Sequence, residues 1–126
     1  MLDTNVVSEI IRADALDKTL QTIAPAAILI SSITEAELRY GIAKKPGATK
    51  IQKLVKAFLS AVDVVPFDAD AAYSYGELRA QYEAAGLSVG ALDGLIAAHA
   101  RATGSILVTR DLAFSRLKQW VSLERW

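Results

Sequence analysis

Four carboxylates stand at positions where an α/β chain can do chemistry: Asp3, Glu37, Asp93 and Asp111. Asp3 directly follows the apolar pair Met1-Leu2, and Asp111 comes three residues after Val108 in Val108-Thr109-Arg110-Asp111. In an open parallel sheet, ligands bind beyond the carboxyl ends of the strands. Both acids therefore project at one edge if the two strands run parallel. Each also has an ordinary reading as a helix N-cap. Asp3 would cap the segment carrying Val6, Val7, Ile10 and Ile11, and Asp111 one that begins near Leu112.

Glu37 and Asp93 are harder to assign to ordinary work. After the Ile28-Leu29-Ile30 run, Ser32 and Glu35 have the spacing of a capping box, and Glu35 can also pair with Arg39 four residues on. Glu37 shares its helical face with Ile33, Tyr40 and Gly41 instead. An acid turned inward with no partner nearby in sequence needs a cation, from a side chain or a metal. Asp93 lies on the face of Ile96, Ala97 and Ala100, between Gly90 and Gly94. A place near a helix start favours negative charge, but it does not explain the apolar face. The flanking glycines suggest close approach of backbone or ligand.

Taken together, the four acids repel one another unless a divalent cation neutralises them. All-oxygen ligation, with no cysteine and no useful histidine, selects a hard ion, Mg²⁺ or Mn²⁺. Such an ion activates water and stabilises charge on a phosphate, so the chemistry on offer is metal-assisted phosphodiester hydrolysis. His99, the single histidine, lies off the Asp93 face and lacks a Ser or Cys partner, so it is read as structural.

The elements that must position these acids are short. Strand candidates are Met1-Leu2, Ala27 to Ile30, Val62 to Val65, Ile106 to Val108 and Val121 to Leu123. Apolar runs without polar alternation suit a parallel sheet covered on both faces. Ile51, Leu54, Val55, Phe58, Leu59 and Val62 follow helical spacing, and Asp68 reads as the N-cap of a long helix ending towards Gly86. Pro25, Pro46 and Pro66 punctuate the chain. Strands and helices alternate, so the class is α/β, and 126 residues make one domain, 1–126.

Composition narrows the function further. Hydrophobic residues make up 52% and charged residues 22%, an ordinary globular mix that excludes disorder. The absence of cysteine excludes a disulfide scaffold, a zinc finger and a thiol nucleophile. No apolar run is long enough to span a bilayer and Met1-Leu2-Asp3-Thr4 is no signal peptide, so a cytoplasmic protein is expected. Fourteen basic residues balance fourteen acidic ones, which argues against binding nucleic acid by net charge alone. The cations are nonetheless clustered. Arg39, Lys44, Lys45, Lys50, Lys53 and Lys56 fall in a stretch from Leu38 to Val62 without an acid, and Arg110, Arg116 and Lys118 flank Asp111. Lys50, Lys53 and Lys56 read as a solvated helix face. Arg110 is the stronger candidate for a phosphate contact, with Arg39 a second. Tyr40 suits stacking on a base or a buried contact, and Trp120 and Trp126 read as finishing the core or a dimer contact.

Leu2-Asp3-Thr4-Asn5, Ser32-Ile33-Thr34 with Glu37-Leu38-Arg39-Tyr40-Gly41, Asp93 with Ile96-Ala97-Ala98-His99-Ala100, and Val108-Thr109-Arg110-Asp111 resemble, in order and spacing, the PIN-domain ribonucleases. More narrowly they resemble the VapC toxins of toxin–antitoxin pairs, including the FitB-like branch. The resemblance runs from Leu2 to about Phe114. It implies a three-layer α/β/α fold around a mainly parallel sheet and an Mg²⁺- or Mn²⁺-dependent endoribonuclease leaving 5′-phosphate and 3′-hydroxyl ends. It implies that Asp3, Glu37, Asp93 and Asp111 hold the metal and position the attacking water, with Asn5 and Thr109 beside it. It also implies a homodimer and a VapB-like antitoxin whose C-terminal segment enters the active-site groove. The chain departs from the family in having only two residues before Asp3 and no further acid between Asp111 and Phe114. Three rivals remain. An aspartyl-nucleophile phosphohydrolase wants a second acid where Asn5 stands, and a signalling receiver domain wants an acid pair and a late lysine that are absent. A catalytically silent partner-binding member of the fold is the third.

Overall fold

A computed structural model describes residues 1–24 and 27–126; Pro25 lies outside the described residues. The helices are α1 (Thr4–Arg12), α2 (Leu16–Thr22), α3 (Ser32–Ala43), α4 (Thr49–Ala61), α5 (Ala69–Ala84) and α6 (Ala91–Ala102). The strands are β1 (Leu29–Ser31), β2 (Asp63–Val65), β3 (Leu107–Val108) and β4 (Leu123–Glu124), and a 3-10 turn covers Leu112–Leu117. None of the described helices is long and apolar enough to cross a membrane.

Every strand pairing is parallel. β1 pairs with β2, β3 pairs with β4, and Leu2 bridges β1 and β3 through Ile30 and Val108. The spatial order is thus β2, β1, Leu2, β3, β4. The backbone seals the middle: Leu2 N–H donates to the Leu29 carbonyl at 3.0 Å, and Asp3 N–H to the Val108 carbonyl at 3.0 Å. Alternate strand residues point to opposite faces, which sorts the core in two. Leu2, Ile30 and Val108 pack with α1, α3 and α4 through Val6, Val7, Leu38, Val55 and Phe58. Met1, Leu29 and Leu107 face α5 and α6 through Leu78, Tyr82, Ile96 and Ala97. The expected three-layer α/β/α arrangement is therefore present. Trp126 and Trp120, both half-buried, close the first and second of these cores.

Helix boundaries follow local chemistry. Asp68 caps α5 by accepting from Ala71 N–H at 3.0 Å, and Gly86 follows at a φ of 76° that favours glycine. The expected Ser32–Glu35 capping box is not formed. β1 runs one residue further than its apolar run, so Ser31 takes the N-cap and accepts from Ile33 N–H at 3.0 Å. The freed Ser32 hydroxyl accepts from Phe67 N–H at 2.9 Å, and Glu35 pairs with Arg39 instead.

Phe58 is almost wholly buried beneath the sheet. Phe58→Ala leaves a cavity in a close-packed layer and is expected to cost about 3–5 kcal/mol in urea unfolding. A loss under about 1 kcal/mol would mean the layer collapses around the gap.

Candidate active site

Asp3 is placed by the central strand and fixed by the helix that follows. It is 2% exposed. Its Oδ1 accepts from Val6 N–H at 2.7 Å as the N-cap of α1, and its Oδ2 accepts from the Thr109 hydroxyl. Thr109 in turn accepts from Asp111 N–H at 3.0 Å, so one buried threonine ties together the residues after Leu2 and after β3. Asp111 caps the 3-10 turn, accepting from Ala113 N–H at 2.8 Å. Both N-cap readings hold, and they coexist with a position at the carboxyl edge of the sheet.

Glu37 is half-buried in α3 and has a neutral partner. Thr4 Oγ1 donates to Glu37 Oε1 at 2.7 Å and lies 3.1 Å from Thr34 Oγ1. Thr34 sits three residues before Glu37 on the same helical face, so its hydroxyl can complete the relay Thr34–Thr4–Glu37. Neither threonine stood out in the sequence as part of the site. The nearest signals were Thr4 beside Asp3 and the Thr34–Glu37 spacing. Asp93 occupies the first turn of α6, half-buried. A Cβ on Gly90 would meet the Asp93 carboxylate at 3.3 Å, and one on Gly94 would meet Tyr82 Oη at 3.3 Å and Tyr75 at 3.4 Å. The two glycines thus make room for Asp93 itself and for the α5–α6 contact.

The four carboxylates feel one another. Burial raises the Asp93 carboxyl above the usual range, and Asp111, Glu37 and Asp3 raise it further. Burial also raises Asp3. The Thr109 and Val6 hydrogen bonds pull it back, while Asp111 and Glu9 add to the rise. Among the described residues no lysine, arginine or histidine forms an ion pair with any of the four. Nor are three acids or histidines gathered tightly enough, as the side chains stand, to enclose a metal ion. The donor set is nevertheless all oxygen, from carboxylates and hydroxyls, and its repulsion is uncompensated. That chemistry fits a hard divalent cation.

The remaining residues divide clearly. Arg39 is exposed and bound to Glu35 at 2.7 Å. Arg110 pairs with Glu9 and donates through Nε to the Trp126 carbonyl at 2.9 Å. Asn5 is exposed and borders a cleft with Asp111. Lys50, Lys53 and Lys56 lie on the solvated side of α4. Tyr40 is 67% exposed, with Lys44 Nζ 5.1 Å above its ring. His99 is buried, hydrogen-bonded through Nδ1 to Ser31 Oγ at 2.8 Å and set edge-on to Phe67. Ser31 is thus a serine partner that the sequence did not show, but it is the buried N-cap of α3, so the pair sits in the core.

Beside the acids runs a groove of about 940 Å³ between α1, α3 and α4. Ile11, Ile33, Leu38, Ile42, Ile51 and Val55 line it, and Thr4 and Glu37 form its wall on the acid side.

Residues 1–119 match the PIN domain family. The chain belongs to that family, on its VapC branch. It is 38% identical over 130 residues to Ribonuclease VapC2 of Rickettsia felis, covering all of this chain and 96% of that protein. It is 36% identical over 112 residues to the tRNA(fMet)-specific endonuclease VapC of Shigella flexneri, covering 88% of this chain and 85% of that one. The crystal structure of VapBC2 from Rickettsia felis, bound to a DNA fragment from its promoter, superposes with a TM-score of 0.88. There the identity is 38%, with 100% of this chain and 97% of that chain covered. The α/β class read from the apolar runs and the PIN fold that the resemblance implies are thereby established.

Because Asp93 holds its proton more tightly in the folded, metal-free chain than when unfolded, its contribution to stability falls as pH rises through that range. Asp93→Asn removes the charge. In EDTA the variant is expected to melt higher than the parent at neutral pH, and the gain should vanish on acidification below about pH 4, where the unfolded carboxyl is also protonated. A lower melting temperature at neutral pH would instead make Asp93 a structural residue.

Proposed function

We propose that Asp3, Glu37, Asp93 and Asp111 hold an Mg²⁺ or Mn²⁺ ion and that the chain, one domain over residues 1–126, cleaves RNA as the toxin of a toxin–antitoxin pair. The observation that carries this reading is the set of four carboxylates, delivered from four separate segments, that raise one another's charge cost and, among the described residues, form no ion pair with a basic side chain. Bound there, the ion supplies an activated water and neutralises charge on the scissile phosphate.

The chain's own residues supply placement. Val6 N–H and the Thr109 hydroxyl hold Asp3 in one orientation, and Thr4 aims Glu37. Asp93, Glu37 and Asp111 are only partly buried, and Glu37 and Asp111 each engage one carboxylate oxygen in a hydrogen bond, with the Thr4 hydroxyl and Ala113 N–H respectively. Thr109 serves both Asp3 and Asp111, in keeping with its expected supporting role. Asn5 borders the same edge. RNA is the substrate class. Initiator transfer RNA is the first species to examine, since a relative 36% identical is named for that cleavage.

The apolar groove suits a segment of a VapB-like antitoxin, which would cover the acids while seated there. Solved relatives include VapBC and FitAB assemblies. We place the chain in the cytoplasm with these partners, as a homodimer in keeping with the resemblance.

Antitoxin-free protein should cut total cellular RNA with Mn²⁺, and EDTA should abolish cutting. Asp93→Asn is expected to reduce the rate by about 10³-fold, the scale of losing one preorganised charge-stabilising group. End-mapping of the fragments identifies the target. No cleavage by folded, metal-loaded protein would favour the catalytically silent, partner-binding reading.

A further inference from the structure

Beside the apolar groove, with Arg12 bordering both, α1 carries a second, polar cleft. Asn5, Glu9 and Arg12 lie at i, i+4 and i+7, one stripe of the helix. Opposite them stands Arg110, the residue before Asp111. Together Asn5, Glu9, Arg12, Arg110 and Asp111 bound a cavity of about 230 Å³. A neighbouring cavity of about 540 Å³ shares Glu9, Arg12 and Arg110 and reaches Thr19 and Trp126.

We propose that Arg110 and Arg12 form a subsite for an RNA phosphate flanking the scissile one, with Glu9 as an internal counter-ion that the phosphate displaces. This rests on the reading of the four acids as an RNA-cleaving site. Arg110 is held at both ends of its fork, by Glu9 through Nη1 and by the Trp126 carbonyl through Nε, so it is aimed into the cleft before any ligand arrives. The Glu9–Arg110 pair is about half exposed. Such a pair contributes little to stability, so it exchanges readily for a phosphate that meets the same planar fork. Arg12 donates through Nε only to the Ser8 carbonyl of its own helix at 3.2 Å, and no carboxylate pairs with it among the described residues. Glu9 and Asp111 balance the two guanidiniums in the cleft; with Asp111 assigned to the metal, Glu9 stands alone against Arg12 and Arg110. Arg39, by contrast, is matched one-to-one by Glu35 on an exposed helix surface.

The test uses antitoxin-free chain carrying Asp93→Asn, so that RNA is not consumed, and a fluorescent single-stranded RNA oligonucleotide titrated across a salt series. Arg110→Gln and Arg12→Gln should each flatten the slope of log affinity against log salt by about 0.7, the value for one lost single-strand phosphate contact. Glu9→Gln should tighten binding several-fold at low salt. Unchanged slopes in both arginine variants would overturn the proposal. So would Glu9→Gln weakening binding as Arg110→Gln does, because the pair would then be a brace for the C-terminal residues. Arg12 braces no other segment, so Arg12→Gln keeps the test valid if Arg110→Gln fails to fold. Cleavage that survives Asp93→Asn in full would refute the acid-site reading and leave the slopes as a separate result.

Discussion

The structure depends on a carboxylate that is almost sealed from water. Asp3 follows a one-residue central strand, and both its oxygens are taken, one by Val6 N–H and one by the Thr109 hydroxyl. A buried carboxylate without such donors is strongly unfavourable. Here the donors come from the helix that Asp3 starts and from the end of the neighbouring strand. The same bonds that make burial tolerable thus fix α1 and β3 against each other. They also leave an acid at the sheet edge whose proton is held more tightly than usual.

From that fixed point the remaining acids acquire their roles. Glu37 is oriented by Thr4, the residue after Asp3, and Asp111 is linked to Asp3 through Thr109. Asp93 enters from the opposite layer, where Gly90 leaves space for its carboxylate. Among the described residues no basic side chain forms an ion pair with any of the four, although fourteen are available in the chain. Two arginines are engaged elsewhere, Arg39 with Glu35 and Arg110 with Glu9, and Arg12 pairs with no carboxylate among the described residues. α1 therefore separates two environments: an apolar groove that suits a protein segment and a polar cleft that suits a phosphate.

Much of this was legible in the sequence because it is local. The strands were visible as short apolar runs, α5 from Asp68 and Gly86, and the acids from their position after strands. The failures share a cause in long-range pairing. Ser32 was read as a cap because it precedes Glu35 by three. The register that aligns Ser31 with Val65 extends β1 and moves the cap back one residue. Tyr40 shares a face with Glu37 yet is exposed, since both border the open groove rather than a packed layer. Thr4, Glu9 and Arg12 acquire meaning only from partners about 30 to 100 residues away, a distance no local pattern reaches.

The central claim is that the four carboxylates form one divalent-cation site. Thermal unfolding of metal-free chain titrated with Mn²⁺ tests it directly, because a ion bound only by the folded state raises the melting temperature by mass action. The account predicts a saturable rise in the parent that is lost in both Asp93→Asn and Glu37→Gln, two acids from opposite layers of the sheet. An equal rise in the parent and both variants, or none in the parent, would contradict it.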